Sequence, residues 1–325
     1  MTFDDWPRKH KPPSRLKTYT HLEGERRIPT DYEIGTTRLH YYVGRGFEVR
    51  MPASAWYEKY QQGSPLRASS ANWEAFADPR QTTYTAYVKR QRASEAHLDG
   101  IFRTIDASEY DRGLDAQWLR TLSGYIGPLR YPLHGMQMVA AYIGSMAPSS
   151  RITIVAMFQA ADTMRLVQRL AHRMIQVRQT EPTFGVDAAS VWQYDSQWQP
   201  LRRLVEQLLV TYDWGEALVA LNVCVRPAFD DLFMVRLAEH ARRRGDPQYQ
   251  AFCASFWEDF AWQRDWTAAL LECAFADCRS AVERWKADWS ARVAEALSPF
   301  ESALPPGGEK PVKAPARVAV EEETP

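Results

Sequence analysis

Residues 151–178 read RITIVAMFQAADTMRLVQRLAHRMIQVR and follow the break Ala147-Pro148-Ser149-Ser150. The run has a helical period and no glycine or proline, so one long helix from Arg151 to about Arg178 is predicted. The neighbouring sequence repeats the theme. A short helix opens at Pro52-Ala53-Ser54, runs through Tyr60 and stops at Gly63 and Pro65. Asp78-Pro79 carries a start signal, with Asp as N-cap and Pro at the first helical position, for a helix reaching about Ile105. Pro128 and Pro132 mark the start of another, through Met146. After a loop around Pro182–Gly185, a helix is predicted from Trp198 to Val210. Asp213 caps the next, which extends to about Arg244 with an interruption at Pro227. Gly245-Asp246-Pro247 ends it, and two more helices cover 248–273 and 277–298. Strand-type alternation is almost absent, and long helices joined by short breaks make an all-α helix bundle.

Composition narrows the function classes. The chain has 325 residues, and its 40 lysines and arginines balance 40 aspartates and glutamates. This argues against a nucleic-acid partner, whose binding would rest on a basic surface. No apolar run reaches the ~18–20 residues of a membrane span. The N-terminal MTFDDWPRKHKPP lacks an apolar signal region, and the four cysteines form no CxxC pair. A protein of the cytoplasm with reduced thiols is expected. Twelve tryptophans are unusual and fit either a large helical core or extensive protein contacts.

The two ends differ from the middle. Residues 1–50 are rich in Pro, Arg, Lys, Thr and His without helical period, yet carry Trp6, Tyr32, Tyr41 and Tyr42. They read as an extended arm laid over a neighbour rather than a solvated tail. Residues 51–304 form the helical domain, and 305–325, PPGGEKPVKAPARVAVEEETP, form a low-complexity, disordered extension.

Four ordered blocks carry a resemblance. They are Asn72-Trp73-Glu74-Ala75-Phe76 with Asp78-Pro79 and Tyr84; Pro128-Leu129-Arg130-Tyr131 with His134, Gln137, Met138 and Met146-Ala147-Pro148; Gln159-Ala160-Ala161-Asp162 with Arg165; and Asp213-Trp214-Gly215-Glu216-Ala217 with Leu221-Asn222 and Pro227. Together they resemble the beta subunit of the hydroxylase component of soluble diiron multicomponent monooxygenases, the toluene/aromatic and alkene/isoprene group. The resemblance covers about residues 50–300, and the Pro-rich C-terminal extension departs from it. It implies a ferritin-like fold, similar to the ribonucleotide reductase small subunit. It also implies assembly with a catalytic alpha and a small gamma subunit as (alpha beta gamma)2, and transient contact with a regulatory protein and a ferredoxin/reductase chain. The complex would oxidise aromatic hydrocarbons or small alkenes with dioxygen and NADH-derived electrons. The diiron centre is expected in the alpha subunit, with no cofactor and no catalytic residue in this chain.

The residues themselves test that expectation. A diiron carboxylate bundle takes one Glu from each of two helices and a Glu-x-x-His from each of two others. None of the seven histidines has a Glu three positions before it; positions 94, 131, 169 and 237 are Ser, Tyr, Arg and Leu. The resemblance implies an Asp-Glu-x-Arg-His pattern on the ligand helices of the alpha subunit. Here the first counterpart is Asp162-Thr163-Met164-Arg165-Leu166, which keeps Asp and Arg and has Thr163 and Leu166 at the ligand positions. The second counterpart is Asp259-Phe260-Ala261-Trp262-Gln263, with Phe260 and Gln263 there. Asp162 and Arg165 are read as a structural pair. His134 reads as a hydrogen-bonded core or interface histidine, Glu216 as a first-turn acid, and His240 as a solvated complement to a helix end. Trp262/Trp266 and Trp285/Trp289 share helix faces at i, i+4 and read equally as core or contact surface. Trp6, Tyr41, Tyr42, Arg130, His134, Trp214, Trp262 and Trp266 are the interface candidates. An unrelated all-helical interaction module and an autonomous ferritin-like metal oxidase are the alternatives. No GxGxxG, Walker-type, GxSxG or HExxH motif is present.

Overall fold

The computed structural model describes residues 22, 29–37, 52–68 and 70–304, and the elements among them are helices with no strand. In chain order they are α1 (Asp31–Thr36), α2 (Pro52–Tyr57, continued by a π-type turn Glu58–Gln62), α3 (Ser70–Ala75), α4 (Tyr84–Ala107), α5 (Ala116–Met146), α6 (Ser150–Arg178), α7 (Ala188–Tyr194) and α8 (Gln199–Leu209). A nearly continuous run follows: α9 (Trp214–Leu218), a π-type stretch Val219–Val225, α10 (Arg226–Asp230), a second π-type stretch Asp231–Arg236 and α11 (Leu237–Arg243). The last two are α12 (Pro247–Ala254) and α13 (Trp257–Glu301).

The predicted α6 forms as read, capped by Ser149, whose hydroxyl accepts from the Arg151 amide. It lies antiparallel along α5, and α13 packs against the 219–225 stretch, α8 and α6. Its buried positions, among them Ile152, Val155, Gln159, Asp162, Leu166, Leu170, Arg173 and Val177, recur at helical spacing and face the core.

Three predicted boundaries are corrected. First, α4 starts at Tyr84 with Thr83 as N-cap, not at Asp78-Pro79. Asp78 is fully buried, and its carboxylate accepts from the Arg80 and Thr82 amides and from the Trp262 indole (3.0, 2.8 and 2.7 Å). Its capping chemistry is spent on a loop tied to α13. Second, Pro128 and Pro132 lie inside α5, which begins at Ala116 behind the N-cap Asp115, whose side chain accepts from Trp118 N. An interior proline removes a backbone hydrogen bond. Here the buried stripe Trp118, Leu119, Leu122, Ile126, Leu129, Leu133 and Met136 carries the helix through both. Third, α13 runs unbroken across the predicted gap near 274–276, because Trp262, Trp266, Leu270, Ala274, Cys278, Val282, Trp285 and Trp289 continue one buried stripe without a helix breaker. The helix α7 was not foreseen.

The described part of the N-terminal arm is helical rather than extended. Thr30 and Glu33 form a reciprocal capping box at α1. The segment lies on its own chain. The hydroxyl of buried Tyr32 accepts from Asp78 N (2.9 Å), Arg151 donates to Thr37 Oγ1 (2.7 Å), and Ser150 Oγ donates to Thr36 O. At the other side of the bundle, Gly135 permits α5 to approach α8 closely, since a Cβ there would stand 2.4 Å from Val205 Cγ1.

Asp78 therefore holds three elements together. Replacing it by Ala is expected to destabilise the chain by about 3 kcal/mol, because a buried indole and two amides lose their acceptor. Chemical denaturation of the variant measures this, and a loss under about 0.5 kcal/mol would contradict the assigned role.

Candidate functional site

Polar side chains are concentrated where α4, α6, the 219–230 segment and α13 face one another. One network joins the first, second and fourth of these. Asp162 Oδ1 on α6 accepts from Tyr87 OH and Gln91 Nε2 on α4, both at 2.8 Å. The same Gln91 amide donates to Asp259 Oδ1 on α13 at 3.0 Å. Arg165 binds Asp259 and reaches Glu95 at 3.0 Å, while Arg169 donates to Glu95 and Asp99. The predicted structural pair is thus divided: Asp162 and Arg165 belong to one network, but Arg165 turns to Asp259 and Glu95 instead of Asp162. Burial raises the proton affinity of Asp162 well above the ordinary carboxylate range, and the charge of Asp259 raises it further.

A second network joins α6 to the 219–230 segment. Gln159 and Asn222 exchange hydrogen bonds of 2.7 and 3.1 Å, and Asn222 also donates to Thr267 on α13 (3.0 Å). Arg226 donates to Asp230 at 2.7 Å and to Thr163 Oγ1 at 3.1 Å, and its guanidinium lies 4.7 Å from the centre of the Phe260 ring. Burial lifts the Asp230 carboxyl to about 6 against the opposing pull of Arg226. Asn222, Arg226 and Asp230 sit on or beside wider π-type turns, a local geometry frequent where a helix serves a special purpose.

The four positions read as degenerate ligands, Thr163, Leu166, Phe260 and Gln263, are all buried. Thr163, Phe260 and Gln263 come together around Arg226, and Leu166 lies three residues further along α6. Among the described residues no group of three or more His, Cys, Asp or Glu side chains is placed to hold a metal ion. Sequence reading did not single out Arg226, Asp230 or Gln91. The first two were detectable as an Arg/Asp i, i+4 pair in an apolar run; Gln91 had no such signal.

The interface candidates separate into three groups. Trp214, Trp262 and Trp266 are fully buried within the chain, so they are core rather than contact surface, and Trp285 and Trp289 join them. Glu216 is more than a first-turn acid: its carboxylate accepts from the Trp289 indole at 3.0 Å. His134 is exposed and not a core histidine, and Arg130 is half-buried, donating to the Gly127 carbonyl. Trp6, Tyr41 and Tyr42 lie outside the described residues, as does the 305–325 extension. His240 is not a solvated cation. It packs 5.6 Å from the Trp118 ring, and burial together with Arg244 and Arg243 lowers its proton affinity.

A surface feature accompanies the α5 stripe. Met138 is 49% exposed, and Trp56, Tyr60, Tyr142 and Tyr212 form an aromatic group joined by Trp56 Nε1 donating to Tyr142 OH (3.0 Å). No described helix is long and apolar enough to cross a membrane.

The sequence model described as Methane/Phenol/Alkene Hydroxylase matches residues 56–278. The hydroxylase component subunit beta of the toluene-4-monooxygenase system of Ectopseudomonas mendocina is 31% identical, over 89% of this chain and 90% of its own length. The hydroxylase component small subunit of propane 2-monooxygenase from Gordonia sp. (strain TY-5) is 24% identical over 86% of this chain and 78% of its own. A chain of a solved toluene 4-monooxygenase structure, with toluene bound in the resting active site, superposes with a TM-score of 0.82 at 28% identity. That match covers 91% of this chain and 99% of the other.

Asp162 yields a pH prediction. A carboxyl whose proton affinity is raised by folding contributes stability at low pH and loses it as pH climbs from the unfolded value, 3.8, through the folded one. Asp162→Asn keeps an acceptor for Tyr87 and Gln91 and cannot ionise. Its unfolding free energy is expected to fall less than that of the unaltered chain as pH rises above 3.8. Parallel urea titrations compare the two slopes, and equal slopes would refute the assignment.

Proposed function

This chain belongs to the Methane/Phenol/Alkene Hydroxylase family, and from that premise we propose that it is the supporting, beta-type subunit of a multicomponent monooxygenase hydroxylase. The oxygen-activating diiron centre is assigned to a partner alpha subunit. A small gamma subunit completes an (alpha beta gamma)2 assembly in the cytoplasm. A regulatory protein and a ferredoxin/reductase chain carrying NADH-derived electrons act on the complex. The substrate class is aromatic hydrocarbons or small alkenes, in keeping with the toluene-oxidising relative, and the choice of hydrocarbon rests with the alpha subunit. Family membership removes the alternative of an unrelated helical module.

The observation that carries this reading is the donor set of the bundle interior. A diiron centre takes carboxylates and imidazoles from four helices. The corresponding positions here are Thr163, Leu166, Phe260 and Gln263, which offer neither. Arg226 lies against Thr163 and Phe260, and Arg165 binds Asp259 on the same helices. Two fixed guanidinium charges repel a dication, and the Phe260 ring fills volume that a metal would need. These residues do not fit a pair of irons. What they fit is a rigid wall, the kind of supporting shell that a precise metal site in a neighbour requires.

Elemental analysis distinguishes this reading from an autonomous metal oxidase. The chain purified alone is expected to contain no stoichiometric iron and to show no turnover. Co-expression with a larger subunit bearing two Glu-x-x-His motifs is expected to give a stable complex with iron in that subunit. Two irons in this chain alone would sink the proposal.

Assembly can be tested at both proposed contact regions. Deleting residues 1–21, which leaves α1 and its contacts with Asp78, Ser150 and Arg151 in place, is expected to abolish recovery of the complex, this part of the arm being assigned to neighbouring subunits. Met138→Glu, which places a charge on the exposed face of α5 beside His134, is expected to weaken co-purification by at least tenfold with the chain's own unfolding midpoint unchanged. Full recovery of complex by either variant would remove that region from the interface.

A further inference from the structure

A cavity of about 10 Å³ lies between α6, the 219–230 segment and α13, lined by Gln159, Asn222, Arg226, Asp230, Phe260 and Gln263. That volume admits one water-sized molecule. Most of its polar lining is already engaged. Gln159 and Asn222 satisfy each other, and Asp230 accepts from Arg226 Nε. Three buried atoms have no hydrogen-bond partner among the described residues: Arg226 Nη2, Gln263 Nε2 and Gln263 Oε1. Both side chains are more than nine-tenths buried, Arg226 at 4% and Gln263 at 4% exposure. Buried donors and acceptors are almost always paired, and the exceptions cluster where a water or ion is held.

We propose that this cavity is a binding site for a single water molecule, gripped by Arg226 and the Gln263 carboxamide, which joins α13 to α10. The chemistry of the lining selects the ligand. A cation is repelled by the Arg226 guanidinium. An anion accepts from Arg226 and from the Gln263 amide, but it cannot donate to Gln263 Oε1 and it faces Asp230. Water accepts from the guanidinium and donates to a carbonyl or carboxylate oxygen, so it serves the donors and the acceptor with one molecule. Pro227, half-buried, and Arg264, exposed, complete the lining.

The location adds to the argument. Arg226 and Asp230 belong to one short α-helical piece between two π-type stretches. Pro227 within it has no N–H, so this part of the helix has fewer internal hydrogen bonds than a regular one. A water bridging to Gln263 supplies a cross-link that the backbone does not. The site also gives Gln263 a role that neither packing nor the Asp162–Asp259 network accounts for. None of this depends on which subunit carries iron, so the test below leaves the functional proposal untouched whichever way it falls.

The experiment is a crystal structure of the full chain in its complex, at a resolution that resolves waters, with a second crystal soaked in sodium bromide. One peak is expected within about 3.2 Å of both Arg226 Nη2 and the Gln263 carboxamide, with no anomalous bromide signal. A Gln263→Met variant is expected to lose that peak and keep the Gln159–Asn222 pair. Bromide in the cavity would make it an anion site and overturn the proposal. So would featureless density in the unaltered protein, a result that stands whether or not the variant assembles. A peak that persists in Gln263→Met would overturn the assignment of Gln263 as its holder.

Discussion

Four helices that enclose charged side chains can pack in one register only, because every buried charge must meet its partner. An isolated ion inside a protein costs several kcal/mol, and removing one member of a buried pair costs about 3–5 kcal/mol. Asp259 on α13 meets Arg165 on α6 and Gln91 on α4, and Gln91 in turn meets Asp162 on α6. Sliding any one of these three helices by a single turn would break two of these three contacts at once. The apolar stripes supply most of the energy of burial, but they tolerate small shifts; the polar network does not. Its contribution is therefore uniqueness of arrangement more than net stability, which is the best-attested use of buried polar groups. Further along α6 the same device recurs with buried Arg173, which binds Asp111 at 2.5 and 2.7 Å and so pins the chain between α4 and α5 against α6.

What the sequence disclosed follows from which signals are local. The α6 run, the Asp213 cap and the Gly245-Asp246-Pro247 break were legible because propensity and capping act within a few residues. The ferritin-like bundle was legible too, and the four positions read as degenerate ligands, Thr163, Leu166, Phe260 and Gln263, fall on buried faces. Prolines misled, since Pro128 and Pro132 resemble a helix start unless the stripe upstream of them is followed. Asp78-Pro79 misled for another reason: its side chain is claimed by Trp262, far away in sequence. Long-range partners of this kind leave no local trace. The same holds for Gln91, whose position on α4 has meaning only once Asp162 and Asp259 stand opposite it.

Tryptophan illustrates how composition misdirects when read alone. Among the residues with almost no exposure are Trp118, Trp198, Trp214, Trp262, Trp266 and Trp289. Three of these indoles donate to buried or half-buried carboxylates: Trp118 to Asp246, Trp262 to Asp78 and Trp289 to Glu216. Each acid is also tied to a helix start or a loop, so the pair fastens a backbone turn to a distant helix. A tryptophan in this setting is large enough to fill the gap between helices and carries one donor to fix its orientation. Among the described residues the abundant Trp reflects the construction of a long-helix core, and the exposed aromatics are Trp56, Tyr84, Tyr194 and Tyr212.

A ferritin-like bundle that, on the proposed reading, carries no metal faces two physical demands. It must fill the volume and balance the negative charge that a pair of cations would otherwise address. Hydrophobic replacement alone meets the first demand, as Leu166 and Phe260 do. It leaves Asp230 and Asp259 without counter-charge. Arg226 and Arg165 meet the second, and a guanidinium suits the place better than an ammonium would. It is flat enough to lie over Phe260 or Phe256, and its fork serves two acceptors at once, Asp230 with Thr163 and Asp259 with Glu95. Lysine at position 226 would offer a point charge with no face to stack, and the contact with Phe260 would become a gap. The arginines thus fix charge, volume and helix register together, which is why these two positions and not the apolar ones set the geometry of the bundle interior.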